Sequence, residues 1–229
     1  MTRSRTLLSW SSGKDSAWAL HVLREQDEVD VVGLLTTFNA EFDRVAMHAV
    51  RHELVECQAA AAGLLVRSVM LPWPCPNDEY EAAMGAAIAR ARADGITHVA
   101  FGDLFLEDIR AYREERMGAA GMTPLFPLWG CDTSALARRM VEAGMRATIV
   151  CVDPAQLDAS FCGRDFDSRL LADLPSSVDP CGERGEFHTF AWNGPMFAAP
   201  IAVERGEVVE RDGFVFADVR PVQSEVAPA

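Results

Sequence analysis

The sequence predicts a doubly wound parallel α/β sheet followed by a smaller α+β domain. Three observations lead there. Short β-branched runs alternate with helical stretches at roughly 30-residue intervals through the first half, the pattern of parallel strands joined by crossover helices. The first apolar run breaks at Gly13 straight into a helical stretch. From Phe187 onward the pattern becomes strand and turn, with Asn193-Gly194-Pro195 and Arg211-Asp212-Gly213 as turn sequences.

The elements follow in order. Residues 6–10 read as a strand and residues 16–25 as a mostly buried helix carrying Trp18, Leu20, Val22 and Leu23. Residues 29–37 are apolar and β-branched, fitting a central parallel strand buried on both faces. Residues 44–62 read as one helix, because Val50, Leu54, Cys57 and Ala61 recur on one face. Residues 64–71 form a third strand, closed by Pro72-Trp73-Pro74-Cys75-Pro76, which neither helix nor central strand accommodates. A helix over 78–93 stops at Gly95, and a fourth strand over 97–101 ends in Gly102-Asp103. A charged helix over 106–120 and a fifth strand over 122–126 complete the sheet. Past Trp129-Gly130 come a helix over 134–143, a strand over 147–152 and a short helix over 166–174. Short strands then follow at 187–192, 201–203, 208–209 and 214–216. The expected domains are residues 1–127 and 128–222, with 223–229 as a disordered tail.

Composition narrows the function classes. The 229-residue chain is long enough for one large or two small domains. With 34 acidic against 21 basic residues its net charge is −13, which argues against the cationic surface that nucleic acid requires. No apolar run is long enough to span a membrane. The first residues carry neither the apolar core nor the cleavage site of a signal peptide, so a cytoplasmic location is expected. Cys57, Cys75, Cys131, Cys151, Cys162 and Cys181 make no Cys-x-x-Cys pair and no zinc spacing, and are expected to be reduced.

The turn Ser11-Ser12-Gly13-Lys14-Asp15-Ser16 is the densest local signal. Backbone amides at a helix N-terminus suit a phosphate, and Lys14 adds a charge beside them. The Walker A pattern does not fit: Leu8 stands at its first glycine position and Asp15 where its magnesium-binding hydroxyl belongs. The turn instead resembles the Ser-Gly-Gly-Lys-Asp-Ser loop of ATP pyrophosphatases (PP-loop enzymes), with Ser12 in place of the first glycine. The resemblance implies cleavage of ATP between its α and β phosphates, with the loop holding pyrophosphate. Thr36 and Thr37, and Gly102 and Asp103, end strands on the side where open α/β sheets bind ligands, so they are candidates to line the nucleotide site. Asp15 and Asp103 are candidates for Mg²⁺, a hard ion that takes carboxylate and phosphate oxygens. His48 and His52 have the spacing of a metal pair but no His-Glu-x-x-His context, and His48 is left open as a nucleotide-facing residue.

A second polar cluster runs from Asp179 to Phe190. It brings together Glu183, Glu186 and His188, with Glu186 and His188 on one face if a strand starts there. Two carboxylates and an imidazole can bind an amine, bind a metal or move protons; a charged hairpin turn has the same composition. The loop, Phe101-Gly102-Asp103, Pro124-Leu125-Phe126-Pro127-Leu128-Trp129, Gly163-Arg164 and the 179–190 segment together resemble the diphthine–ammonia ligase family, over about Leu7 to Ile201. That resemblance implies a nucleotide domain of the adenine-nucleotide α-hydrolase (HUP) type and a smaller second domain. It implies adenylation of a carboxylate by ATP, then amidation by ammonia or an amine. Lys14, Asp15, Glu183, Glu186 and His188 are the expected catalytic residues, with Arg113, Arg164 and Cys181 open. Archaeal and eukaryotic ligases carry Glu-Gly-Gly-Glu-Phe-Glu-Thr where this chain has Glu183-Arg184-Gly185-Glu186-Phe187-His188-Thr189, which is similar to a bacterial branch. Bacterial elongation factor carries no diphthamide, so that branch is expected to act on another acid; a corrinoid-related carboxylate has been proposed. The acceptor, small-molecule or protein-borne, and a homodimer stay open. A tRNA-modifying PP-loop enzyme and a nonenzymatic nucleotide sensor are the alternatives. The first predicts a basic patch and paired cysteines; the second has no use for Glu183 to His188.

Overall fold

The computed structural model describes residues 2–46 and 48–222; the expected tail, residues 223–229, lies outside them. Five strands run parallel: β1 (Ser4–Ser9), β2 (Val29–Asn39), β4 (Val66–Leu71), β5 (His98–Ala100) and β6 (Thr123–Leu125). Their spatial order is β4-β2-β1-β5-β6, so the chain winds outward from β1 in both directions. The reversal falls between β1 and β5, and the crevice at their carboxyl ends is where such sheets bind ligands. A two-residue strand, β3 (Arg44–Val45), pairs antiparallel with Phe38 and Asn39 beyond the end of β1.

The crossover helices are α1 (Lys14–Gln26), α2 (His52–Ala62), α3 (Asn77–Ala93) and α4 (Glu107–Ala119). α2 starts at His52 and not at residue 44. Val45 N instead donates to Val50 O at 2.8 Å, and Ala49 is left-handed at φ 53°. Pairing of β3 with β2 decides this, and Val50 is buried from a turn that mimics helical spacing.

The second unit has α5 (Thr133–Glu142), β7 (Arg146–Val152), α6 (Ser168–Asp173), β8 (Phe187–Asn193), β9 (Val203–Arg211) and β10 (Phe214–Pro221). Its strands form an antiparallel sheet in the order β8-β7-β10-β9. β9 is one nine-residue strand, where the sequence suggested two short ones. As an edge strand it is held by its ladder with β10 while most of its residues stay exposed, so it carries little burial periodicity.

One apolar cluster runs through both units, from Leu8, Trp18 and Leu34 to Ile149, Phe190 and Val215. A smaller cluster, with Leu7, Leu35, Val69, Ile88, Val99 and Phe101, fills the other face of the parallel sheet under α3 and α4. β8 thereby comes to rest against the start of α1.

Candidate active site

The loop after β1 is held by the second sheet. Ser12 O accepts from Ala191 N at 3.0 Å, and Lys14 N donates to Thr189 Oγ1 at 3.0 Å. Gly13 caps α1 without a side-chain hydrogen bond, so the first amides of this helix look outward for partners. Gln58 locks the junction: its Oε1 accepts from Trp10 Nε1 at 2.8 Å, and its Nε2 donates to Ser12 O at 2.9 Å and Ala191 O at 2.6 Å. Ser16 Oγ donates to Gly13 O at 3.0 Å and lies 3.2 Å from Ser11 Oγ. Ser12 is left-handed at φ 69°, a conformation that costs a non-glycine residue about 1–2 kcal/mol. Gly102 passes so near α1 that a Cβ there would lie 3.0 Å from both Asp15 C and Ser16 N. A side chain at 102 would push apart the end of β5 and the helix start.

Lys14 turns inward. Its side chain is 2% exposed, and its ammonium donates to Asp15 Oδ2 at 2.9 Å and to the carbonyl of Cys181. The rings of Phe166 and Phe187 flank it at 5.5 and 5.3 Å. Burial disfavours its charge, but the neighbouring groups, Asp15 foremost and Glu183 among them, outweigh that and hold its pKa above the usual value. Asp15 itself is raised by burial, against the pull of Lys14.

The 179–190 segment wraps this ammonium. Glu186 is 2% exposed, and its two oxygens accept from Asp179 N and Arg184 N, both at 2.9 Å. It shapes the turn. Glu183 Oε1 accepts from Leu104 N at 2.7 Å, and burial pushes its carboxyl up to about 7. Cys181 is buried and burial pushes its thiol up, away from the thiolate form that a nucleophile uses. His188 stacks on His48 with ring centroids 4.4 Å apart, and burial lowers its pKa to about 4. His48 is likewise lowered, by burial first and by His188 second. Both imidazoles are neutral at pH 7.

A cavity of about 590 Å³ opens at the carboxyl ends of β1, β2 and β5. Ser11, Thr37 and Phe101 line its sheet side, Tyr80 and Arg113 its helical side, and His48 and His188 its end. Its volume suits a nucleotide-sized ligand. Ser12 Oγ, Asp15 Oδ1, Trp18 Nε1 and Thr36 Oγ1 are buried without a protein partner among the described residues. Unpartnered buried polar atoms are uncommon, and two of these four belong to the loop. Thr37 lines the cavity, whereas strand alternation turns Thr36 to the opposite face with Leu34 and Phe38.

Asp15 and Asp103 differ as magnesium ligands. Arg113 Nε donates to Asp103 Oδ2 at 2.5 Å and Nη2 to Oδ1 at 3.1 Å, so each Asp103 oxygen already accepts one hydrogen bond. Asp15 keeps Oδ1 free, and magnesium commonly uses one or two carboxylates alongside phosphate oxygens. Asp15 therefore has the freer oxygen of the two candidates. No group of three or more histidine, cysteine, aspartate or glutamate side chains among the described residues makes a metal site by itself.

Two family models cover the chain: the diphthamide synthase N-terminal domain over residues 4–122 and the diphthamide synthase C-terminal domain over residues 132–220. The chain belongs to the diphthamide synthase family. Among curated relatives, human diphthine–ammonia ligase is 27% identical over 150 residues, which is 63% of this chain and 56% of that protein. The mouse enzyme of that name is 26% identical over 200 residues, 85% of this chain and 74% of the relative. The zebrafish enzyme is 28% identical over 199 residues, 78% and 76%. The matched stretch thus spans just over half the length of the human relative, at 56%.

Within this diphthamide synthase fold, the two polar clusters that are separate in sequence form one site. Gly102 packs against the start of α1 and Glu183 accepts from Leu104 N, while of the expected site residues only Ser11, Thr37 and His188 line the cavity; Arg164 pairs with Asp173 at 2.6 Å. Gln58 lies outside every motif, and Thr189 lies inside one without an expected role. Gln58 did leave a trace, as the one polar side chain on a helical face with Leu54, Val55, Ala59 and Ala62.

Proposed function

We propose that this chain is an AMP-forming carboxylate–ammonia ligase. ATP adenylates an acid and releases pyrophosphate; ammonia or an amine then forms the C–N bond as the C–O bond to AMP breaks. The proton from the attacking nitrogen passes to an imidazole. The observation that supports this reading is the docking of the loop after β1 onto β8, with His188 among the residues lining the cavity at the carboxyl ends of the parallel strands.

In this reading the phosphates meet the amides at the start of α1 and the hydroxyls of Ser11, Ser12 and Ser16. Fixed donors aimed at the leaving pyrophosphate are worth about 3 kcal/mol each in the transition state. Lys14 acts from behind the loop as a positioning residue, fixing Asp15 and the Cys181 turn. Asp15 Oδ1 would help hold Mg²⁺, whose charge would offset that of the phosphates. Neutral His188 accepts the proton, which an acidic side chain at this place would do with different charge. Residues 1–127 supply the nucleotide loop, and 128–222 supply the segment that faces the acceptor. The relatives named diphthine–ammonia ligase support the reaction class. Six free cysteines suit the cytoplasm.

The test is product analysis with ATP, magnesium, ammonium and a panel of carboxylic acids. AMP and pyrophosphate in equal amounts, dependent on an acid, are expected. ADP as the sole product overturns the proposal.

A further inference from the structure

A second cavity, of about 280 Å³, lies on the other side of His188. Val45, Ala46 and His188 line both cavities and form the partition between them. The walls of the second are aromatic, with Phe42, Trp73, Phe214 and Phe216. Phe42 and Trp73 meet edge to face, centroids 6.1 Å apart, yet remain 43% and 57% exposed. Rings of this size are usually covered, so the pair makes an apolar lip that the fold itself does not fill.

Two cations stand at two depths. Arg211 is at the outer end, its side chain 50% exposed and its guanidinium 5.5 Å from the Phe42 centroid and 5.3 Å from that of Phe216. The carboxylate beside it, Asp212, is 3.7 Å away and 76% exposed, so water screens that pair. Arg44 is deeper, 26% exposed and next in the chain to Val45 of the partition. Arg44, Arg51 and Arg220 all donate to the one carboxylate of Asp218. Asp218 thus divides one negative charge among three guanidinium groups, and Arg44, the one of them that lines the cavity, is left only partly neutralised.

We infer that this cavity binds an organic acid with a flat apolar body and an anionic group at each end. The body lies between the rings, one acidic group points to the partition near Arg44, and the other is retained at the mouth by Arg211. The volume sits at the small end of ligand sites and suits one or two fused rings. Calling this ligand the acceptor rests on the ligase reading, because the group at the partition is the one next to the nucleotide; the binding itself does not.

Calorimetric titration without ATP tests the inference, using 2,6-naphthalenedicarboxylate, 2-naphthoate and 2-naphthamide as probes. The diacid is expected to bind about tenfold tighter than the monoacid, about 1.4 kcal/mol for the second charge-assisted contact, and the monoacid tighter than the neutral amide. Arg211→Gln should bring the diacid down to the monoacid and keep the preference of acid over amide. Phe42→Ala, at a half-exposed position that leaves no core cavity, should weaken all three probes by a similar factor. Amide binding as tight as the acids, or an unchanged order in Arg211→Gln, or no effect of Phe42→Ala, overturns the inference. None of these outcomes touches the pyrophosphate assay, so the cavity and the ligase chemistry stand or fall separately.

Discussion

The ammonium of Lys14 donates to the carbonyl of Cys181, and the two residues are 167 positions apart in the chain. The charge of the loop is therefore part of the core between the two sheets, flanked by Phe166 and Phe187. Asp15 shares it.

Substitution at Lys14 should accordingly change stability as well as catalysis. Lys14→Met leaves Asp15 in a largely buried site without its cation and should cost about 3 kcal/mol. Lys14→Met with Asp15→Asn should cost less than the sum of the two single changes, because each single change strands the other partner. Urea unfolding of the four proteins measures the coupling. A Lys14→Met protein as stable as wild type would show that the ammonium is not held this way.

Gln58 is fully buried and bonded through both amide atoms. Gln58→Leu should cost about 2–4 kcal/mol, since it strands buried groups of Trp10 and Ala191. Gln58→Glu should be worse near neutral pH. It keeps the acceptor for Trp10 but aims a carboxylate at the carbonyls of Ser12 and Ala191. The order wild type, Leu, Glu in thermal melts is the expected result.

Ser12 combines a left-handed backbone with a buried hydroxyl that has no protein partner. Ser12→Gly removes both costs and adds back the chain entropy of glycine, about 0.5–1 kcal/mol. A net gain of about 1 kcal/mol is expected. Calorimetric melting in the absence of nucleotide measures it, and a lower melting temperature would contradict the strain.

Two groups set opposite pH trends. Glu183 rises from 4.5 to about 7 in the folded protein, mainly by burial. The folded state then holds a proton that the unfolded chain has lost, so this contribution to stability declines as pH rises from 4.5 through 7. His188 falls from 6.5 to about 4, again by burial. Below pH 6.5 the unfolded chain binds the proton first, so stability is lost as pH falls from 6.5 through 4. Glu183→Gln, whose amide oxygen still accepts from Leu104 N, should gain on wild type at pH 8 more than at pH 5. His188→Asn should gain at pH 4.5 relative to pH 7. Melting curves over that range give both trends, and parallel curves for all three proteins would contradict them.

The strands and helices of the parallel sheet lie close to where their periodicity placed them, and the loop follows β1 as expected. Residues 44–51 and β9 were not legible. A two-residue strand has no period to read, and an exposed edge strand is held by backbone hydrogen bonds that leave no mark on side-chain pattern.

The site divides along the same line. The sequence by itself determined which stretches carry polar chemistry and that they end strands, because hydropathy periods and turn residues act between near neighbours in the chain. Only the tertiary structure decided which polar group meets which. It put Thr189 on the first amide of α1, Cys181 on Lys14, Arg113 on Asp103, and His48 on His188. It also chose Thr37 over Thr36 for the cavity. Sheet order and register set those meetings, and a one-residue change of register would exchange every one of the inward-facing partners on a strand.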